Sequence, residues 1–306
     1  MNILLTGAAG QLGSELLPLL SARGSVTATD RSKPASEMKS RVQLDISNER
    51  ELENLLNRVQ PELIVNAAAY TAVDQAEADA ETAFNVNAEL PLRLATWAKR
   101  NNAGLIHYST DYVFAGTATR PYLETDQPNP QSVYGESKLA GERAIEAAAC
   151  KHVILRTSWV YSSHGKNFVL TMLDLAQKVP RLNIVDDQQG CPTSARSLAL
   201  ASEAVIAAWQ EPGFDEGSGV YHYCDDRSLS WYDFANMIFS YALEVGLLDR
   251  VPDVTPVPSS EFPQAAERPK WSVLDTSRIN SAFNIRPASF EGCLRAVIDE
   301  IQSRAK

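Results

Sequence analysis

The chain has 306 residues, 44% hydrophobic and 22% charged, enough to bury one large core or two modest ones. Its formal charge of −10 argues against a phosphate-backbone partner, which needs a basic surface, and leaves nucleic acid out. The longest apolar runs fall well short of a membrane span, and the opening Met-Asn-Ile-Leu-Leu-Thr-Gly lacks the basic start of a signal peptide, so neither a membrane partner nor export is expected.

Asn2 to Thr6 reads as a strand that ends at glycine, and Gln11 to Arg23 follows with leucines at 12, 16, 17, 19 and 20 on a helical period. Between them lies Gly7-Ala8-Ala9-Gly10-Gln11-Leu12-Gly13, a G-x-x-G-x-x-G turn. Its glycines allow a tight bend, close approach of a pyrophosphate and close helix packing, with the helix N-terminus facing the anion. Ser25 to Thr29 is the next strand. It ends at Asp30, placed to accept hydrogen bonds from an adenosine ribose, which favours NAD. Arg31 and Lys33 could offset the repulsion of a 2′-phosphate, so NADPH or NADH both stay open.

Arg41 to Leu44 is a weaker strand, followed by Asp45 and Ile46 as adenine contacts. Ser47 or Asn48 can cap a helix carrying Leu52, Leu55, Leu56 and Val59. Leu63 to Ala67 is a buried strand, and Ala67, Ala68 and Ala69 are small enough to let a dinucleotide lie against the backbone. A long helical stretch runs from about Ala80 to Arg100, with a break or kink at Pro91. Gly104 to Ser109 is a strand, a helix covers Tyr134 to Ala149, and His152 to Thr157 is a strand again.

This alternation predicts an α/β fold, a Rossmann-type doubly wound parallel sheet over residues 1–160. Residues 161–306 carry helical periods at Phe168 to Lys178, Ser197 to Trp209, Trp231 to Leu248 and Phe290 to Ser303, separated by proline-rich polar segments such as Pro252 to Pro269. They predict a smaller, mostly helical substrate-binding cap, from which segments can return to the first domain.

Thr110 and Asp111 follow the strand ending at Ser109, at the carboxyl end where such sheets bind ligands. Tyr134 and Lys138 form a Y-x-x-x-K pair, one turn apart on one helix face. A phenol beside an ammonium suits proton donation to a carbonyl oxygen, since the cation stabilises the phenolate. The four cysteines are far apart and read as free thiols of a reducing, cytoplasmic compartment. The four histidines show no metal-ligand spacing and read as structural or surface residues.

These motifs resemble the extended short-chain dehydrogenase/reductase superfamily and, within it, the dTDP-4-dehydrorhamnose reductase family. The resemblance spans essentially the whole chain. It rests on the glycine turn, Val65–Asp74, His107–Phe114, Tyr134–Glu142 and Leu155–Tyr161, and it extends through Asn167-Phe168, Asp187–Thr193 and Arg268-Pro269. It implies hydride delivery from NADPH or NADH to C4 of a dTDP-linked 4-ketosugar, dTDP-4-dehydro-6-deoxy-L-mannose. Tyr134 would give the proton, Lys138 would hold the nicotinamide ribose and lower the phenol's pKa, and Thr110 would hydrogen-bond near the reacting oxygen. Asp111 would bind sugar hydroxyls, Trp159 would pack on the sugar, and Arg268 would take the diphosphate. Sugar-nucleotide dehydratases resembling this chain hold an acid where it has Tyr112, which disfavours elimination.

Some members of the family dimerise around magnesium held by glutamates. Glu15 matches one ligand position, but the Pro192–Arg196 stretch carries arginine where another glutamate is expected, so no metal is expected and a magnesium-bridged dimer is doubtful. The chain is then a monomer or a homodimer of another kind. Two alternatives stay open: a reductase or epimerase of another nucleotide sugar, and a non-catalytic dinucleotide-binding regulatory subunit.

Overall fold

The computed structural model describes residues 1–31, 41–46, 48–211 and 217–305. Lys33 and Ser47, named above as a charge-offsetting and a capping candidate, lie outside them.

In β1 (Asn2–Thr6) successive side chains enter opposite faces of the sheet. Ile3 and Leu5 pack with Leu16 and Leu20 of α1 (Gln11–Ser21), whereas Leu4 joins Leu52, Leu55 and Leu56 of α2 (Glu49–Val59). Asn48 caps α2, accepting from Glu51 N, and Gln60 ends it in a left-handed conformation. Strand β2 (Ser25–Asp30) runs one residue beyond its expected span, whereas β3 (Arg41–Gln43) and β4 (Leu63–Asn66) each stop one residue short of theirs.

The expected helical stretch from 80 to 100 is continuous from Ala80 to Asn101, with a π turn in its middle. A short α3 (Val73–Ala76) precedes α4 (Ala80–Phe84), a π-helical turn at Asn85–Glu89, and α5 (Leu90–Asn101). Pro91 is the second residue of α5, directly after the π turn; it has no N–H to give to the carbonyls one turn back, and the irregularity expected at Pro91 lies in that preceding turn. The π turn directs the buried Asn87 outward to bond Tyr70 N, Tyr70 O and Ser137 Oγ at 2.9, 3.0 and 3.0 Å. It thereby ties the loop after β4 to α6 (Val133–Ala148).

With β5 (Gly104–Thr110) and β6 (Lys151–Thr157), the parallel strands order as β6-β5-β4-β1-β2-β3. The chain then makes β7 (Val160–Tyr161), α7 (Phe168–Lys178), β8 (Arg181–Val185), β9 (Gln189–Gly190), β10 (Thr193–Ser194) and α8 (Ala195–Gln210). β11 (Gly219–His222) joins the main sheet beside β6, making it seven-stranded. α8 covers the sheet face beside α1, with Leu198 and Val205 in the same cluster as Leu16 and Leu20.

Next come β12 (Leu229–Ser230), α9 (Trp231–Glu244), β13 (Asp253–Val257), α10 (Ser277–Phe283) and α11 (Phe290–Ala305). α9 stops before the expected Leu248, and its start carries a capping box from Ser230 and Asp233. The segment 252–269, expected to be a separator, contains β13, which pairs in parallel with β8. A second core of Tyr161, Leu173, Phe234, Ile238 and Phe290 holds the cap together. No described helix is long and apolar enough to cross a membrane.

Candidate active site and dinucleotide cleft

The turn after β1 is sterically committed to glycine at two points. Gly7 has φ of +68°, and a Cβ there would lie 2.7 Å from the Ala67 backbone. A Cβ on Gly13 would lie 2.1 Å from Gly7 O, so α1 sits directly on its own turn. The result is a cleft of about 600 Å³ over the carboxyl ends of β1 and β4, the point where strand order reverses.

Gly7, Gly10, Asp30, Arg31, Asp45, Ile46, Ala67, Ala68 and Ala69 all line this cleft. Asp30 Oδ2 accepts from Ala9 N at 2.8 Å, which fixes the carboxylate beside the turn. The other three predicted residues of the turn face elsewhere. Leu12 packs against the core and Gly13 under Gly7. Gln11 Oε1 accepts from Ser162 Oγ at 2.9 Å and Asn167 Nδ2 at 2.8 Å, joining the turn to the cap.

Thr110 ends β5, and Asp111 opens the 3-10 turn that follows. Thr110 Oγ1 donates to Asp111 Oδ1 at 3.0 Å and accepts from Tyr112 N at 3.2 Å. Asp111 is 1% exposed, and burial pushes its carboxyl up to about 6 against the opposing pull of Ser272, Thr110 and nearby backbone N–H groups.

Ser132 caps α6, accepting from Gly135 N at 3.2 Å, and sets the phase that brings Tyr134 and Lys138 toward β5. Burial raises the Tyr134 phenol above its ordinary pKa; the Thr110 hydroxyl lowers it in part, and the negative side of Asp111 raises it further. Lys138 Nζ donates to Tyr108 O at 2.5 Å and lies 3.3 Å from His107 Nε2. Burial pulls its pKa down to about 8, opposed by Glu142. The structure therefore couples Tyr134 to Thr110, while Lys138 is bound to the sheet beneath.

Tyr112 meets Tyr134 edge to face, with centroids 5.7 Å apart. Its hydroxyl accepts from Arg268 Nη1 at 2.9 Å, and Arg268 Nη2 pairs with Asp74 at 2.7 Å. Arg268 thus clasps the cap to α3 beside the phenols. Trp159, with φ of +49°, stacks on Trp231 at 3.4 Å, and Trp231 Nε1 donates to Gln188 Oε1 at 3.1 Å. Sequence reasoning missed Trp231, the pairing of Asp74 and the bridge from Gln11 to the cap, although Asp74 and Gln11 both stand in motifs named above.

A second cleft, of about 490 Å³, lies between α8 and α11 and is lined by Glu15, Arg196 and Glu300. Arg196 Nη1 sits 3.6 Å from Glu15 Oε2 there.

Comparison with known proteins fits this geometry. Residues 1–303 match the family described as the RmlD substrate binding domain. A dTDP-4-dehydrorhamnose reductase of Salmonella typhimurium is 38% identical over 303 residues, covering 98% of each chain. The crystal structure of a dTDP-4-dehydrorhamnose reductase from Clostridium acetobutylicum superposes with a TM-score of 0.87 at 37% identity, covering 99% of this chain and 100% of that one. One from Bacillus anthracis, in complex with NADP, gives 0.86 at 33% identity, covering 97% and 98%.

Proposed function

The chain belongs to the RmlD substrate binding domain family, and from that premise we propose that it reduces the C4 ketone of dTDP-4-dehydro-6-deoxy-L-mannose to dTDP-L-rhamnose with NADPH or NADH. The observation that carries the reading is the joining of two sites. Asn87 links Tyr70, on the wall of the dinucleotide cleft, to Ser137, which lies between Tyr134 and Lys138 on α6.

The cleft fits a dinucleotide: its floor is backbone where a Cβ would collide, and Asp30 stands at its edge. Gly7, Gly10, Asp30, Arg31, Asp45, Ile46 and Ala67–Ala69 would hold the cofactor, which when bound supplies the hydride. Tyr134 donates the proton to the C4 oxygen, and Thr110 hydrogen-bonds the phenol and eases that loss. Lys138, held by Tyr108 O, supplies a second titrating group on the same helix face, one turn from the phenol. Arg268 reaches a substrate diphosphate by exchanging Asp74 for it, and Trp159 with Trp231 offers a flat apolar wall to the sugar.

Residues 1–160 supply the cofactor half and 161–306 mainly the substrate half; the return of β11 and α8 to the sheet supports the exchange of segments between them. The ion pair of Arg196 with Glu15 supports a monomer or a dimer without a magnesium bridge. The free thiols fit a reducing cytoplasm.

The test is turnover of dTDP-4-dehydro-6-deoxy-L-mannose with NADPH and NADH in parallel, with the sugar product identified. Wild type should yield dTDP-L-rhamnose, and Tyr134→Phe should lose about 100-fold or more in kcat while still binding the cofactor. A protein that binds dinucleotide yet oxidises neither cofactor would be a regulatory subunit or act on another sugar, and the proposal would fall.

A further inference from the structure

The cap is tied to the wall of the dinucleotide cleft through the carboxylate of Asp74, which sits in α3 between Ala72 and Gln75 of that wall. Its Oδ1 accepts from the main-chain N–H of Ala266 at 3.2 Å, and its Oδ2 accepts from Arg268 Nη2 at 2.7 Å. The other two nitrogens of the guanidinium are held as well. Nη1 donates to the Tyr112 hydroxyl at 2.9 Å, and Nε donates to Gln264 Oε1. Beyond Arg268 the chain is firmly seated: a Cβ on Gly116 would lie 2.5 Å from Pro269 Cα, and Trp271 N donates to Gly116 O at 3.2 Å.

The two charged partners differ in exposure. The Asp74 side chain is 44% exposed and that of Arg268 17%. A carboxylate so open to water holds a cation weakly, since solvent screens the pair and ordering both side chains costs entropy. A diphosphate carries more charge and offers paired oxygens that match the guanidinium fork. It displaces Asp74 from Nη2, while Oδ1 of Asp74 keeps the N–H of Ala266.

We propose that Asp74 is a positioning residue that acts as a latch, an internal stand-in for the substrate diphosphate. It occupies Arg268 while the sugar site is empty, gives way when the sugar nucleotide enters, and takes the guanidinium back as the product leaves. This rests on the reading of Arg268 as the diphosphate ligand. The latch lowers affinity, because a site that is competent for only part of the time binds in proportion to that part. A latched fraction of about four-fifths weakens binding about fivefold, within the range of an exposed ion pair. The latch also quickens release, because the carboxylate replaces the departing phosphate oxygen and the cation is never left without a partner.

The neighbouring charges are engaged elsewhere and leave the exchange to Asp74. Glu77, three residues further on, accepts from Val133 N of α6 at 2.9 Å. Lys270 lies 3.5 Å from Asp187. The bond from Nη1 to Tyr112 takes no part in the exchange, so the guanidinium stays beside the phenols whichever anion holds Nη2.

The experiment uses the full chain as wild type, Asp74→Asn, Arg268→Gln and the double variant. Asp74→Asn keeps an oxygen for Ala266 N and removes the charge. The dissociation constant of dTDP is read by calorimetric titration and its dissociation rate by stopped-flow displacement. In Asp74→Asn, dTDP should bind about three- to fivefold tighter and leave more slowly. Removing a negative charge near an anion also tightens binding without any latch, and the double variant separates the two. With no guanidinium to hold, Asp74→Asn should change dTDP affinity by less than about twofold in the Arg268→Gln background. Equal tightening in both backgrounds is a field effect and overturns the latch, as does unchanged or weaker affinity in Asp74→Asn. If Arg268→Gln binds dTDP too weakly to measure, the dissociation rate decides. A field acts mainly on association, so a rate in Asp74→Asn equal to that of wild type overturns the latch and a slower one supports it. Arg268→Gln that binds dTDP as tightly as wild type would instead remove the diphosphate reading on which the latch rests.

Discussion

Thr110 shows how one side chain serves structure and chemistry together. Its hydroxyl caps the turn after β5, accepting from Tyr112 N, and also lies against the Tyr134 phenol, where it offsets part of the effect of burial. Thr110→Val keeps the shape and removes the hydrogen bond. The phenol's pKa should rise, and kcat at neutral pH should fall about tenfold with little change in cofactor affinity, as read by steady-state rates and cofactor titration. Thr110, Tyr134 and Lys138 were legible because a strand end and a four-residue helical spacing are local patterns. The hydrogen bond of His107 to Asn66 was not: as one of four histidines without ligand spacing His107 reads as structural, and only strand register brings Asn66 beside it. Trp231 was hidden for the same reason. It opens α9, while its partner Trp159 lies between β6 and β7.

At the scale of elements, α6 is positioned by a buried ion pair. Glu142 and Arg156 are 1% and 4% exposed and meet in a bidentate contact that fastens α6 to β6. Glu142→Gln leaves Arg156 charged in a low-dielectric site, and chemical denaturation should show a loss of about 3–5 kcal/mol. Lys138 would also lose the carboxylate that favours its charge, so its pKa should fall further. The parallel sheet was legible because each strand is a short apolar run bounded by a turn signal and followed by a leucine-rich helical period. The π turn at Asn85–Glu89 was legible only as a kink expected at Pro91; its close packing was not, since a Cβ on Gly141 would lie 2.1 Å from Asn87 O and α6 and the turn press directly on each other. The two-residue strands of the cap carry too few side chains to show a period, and β13 contains Pro256, which reads against a strand.

For the whole molecule, burial of titratable groups sets how stability follows pH. His222 is pulled to about 3 from 6.5 by burial and Arg156, and His107 is lowered as well. The unfolded chain binds protons there that the folded chain refuses, so their contribution is complete above pH 6.5 and is lost as pH falls toward 3. Asp225 works the other way. Burial raises it to about 6 from 3.8, so the folded chain binds its proton first and gains stability as pH falls through that interval. Asp225→Asn removes the gain, and its urea midpoint should drop more steeply than that of wild type between about pH 6 and 4. The placement of α8 and β11 also sets an order of events during synthesis. The sheet face built from Ile3, Leu5, Ile106 and Leu155 is covered in part by Leu198 and Val205 of α8, and the outermost strand on the β6 side starts at Gly219. A nascent chain that has completed β6 therefore holds six strands with one greasy face covered by α1 but not yet by α8, and it must shield the remainder until some fifty further residues have left the ribosome.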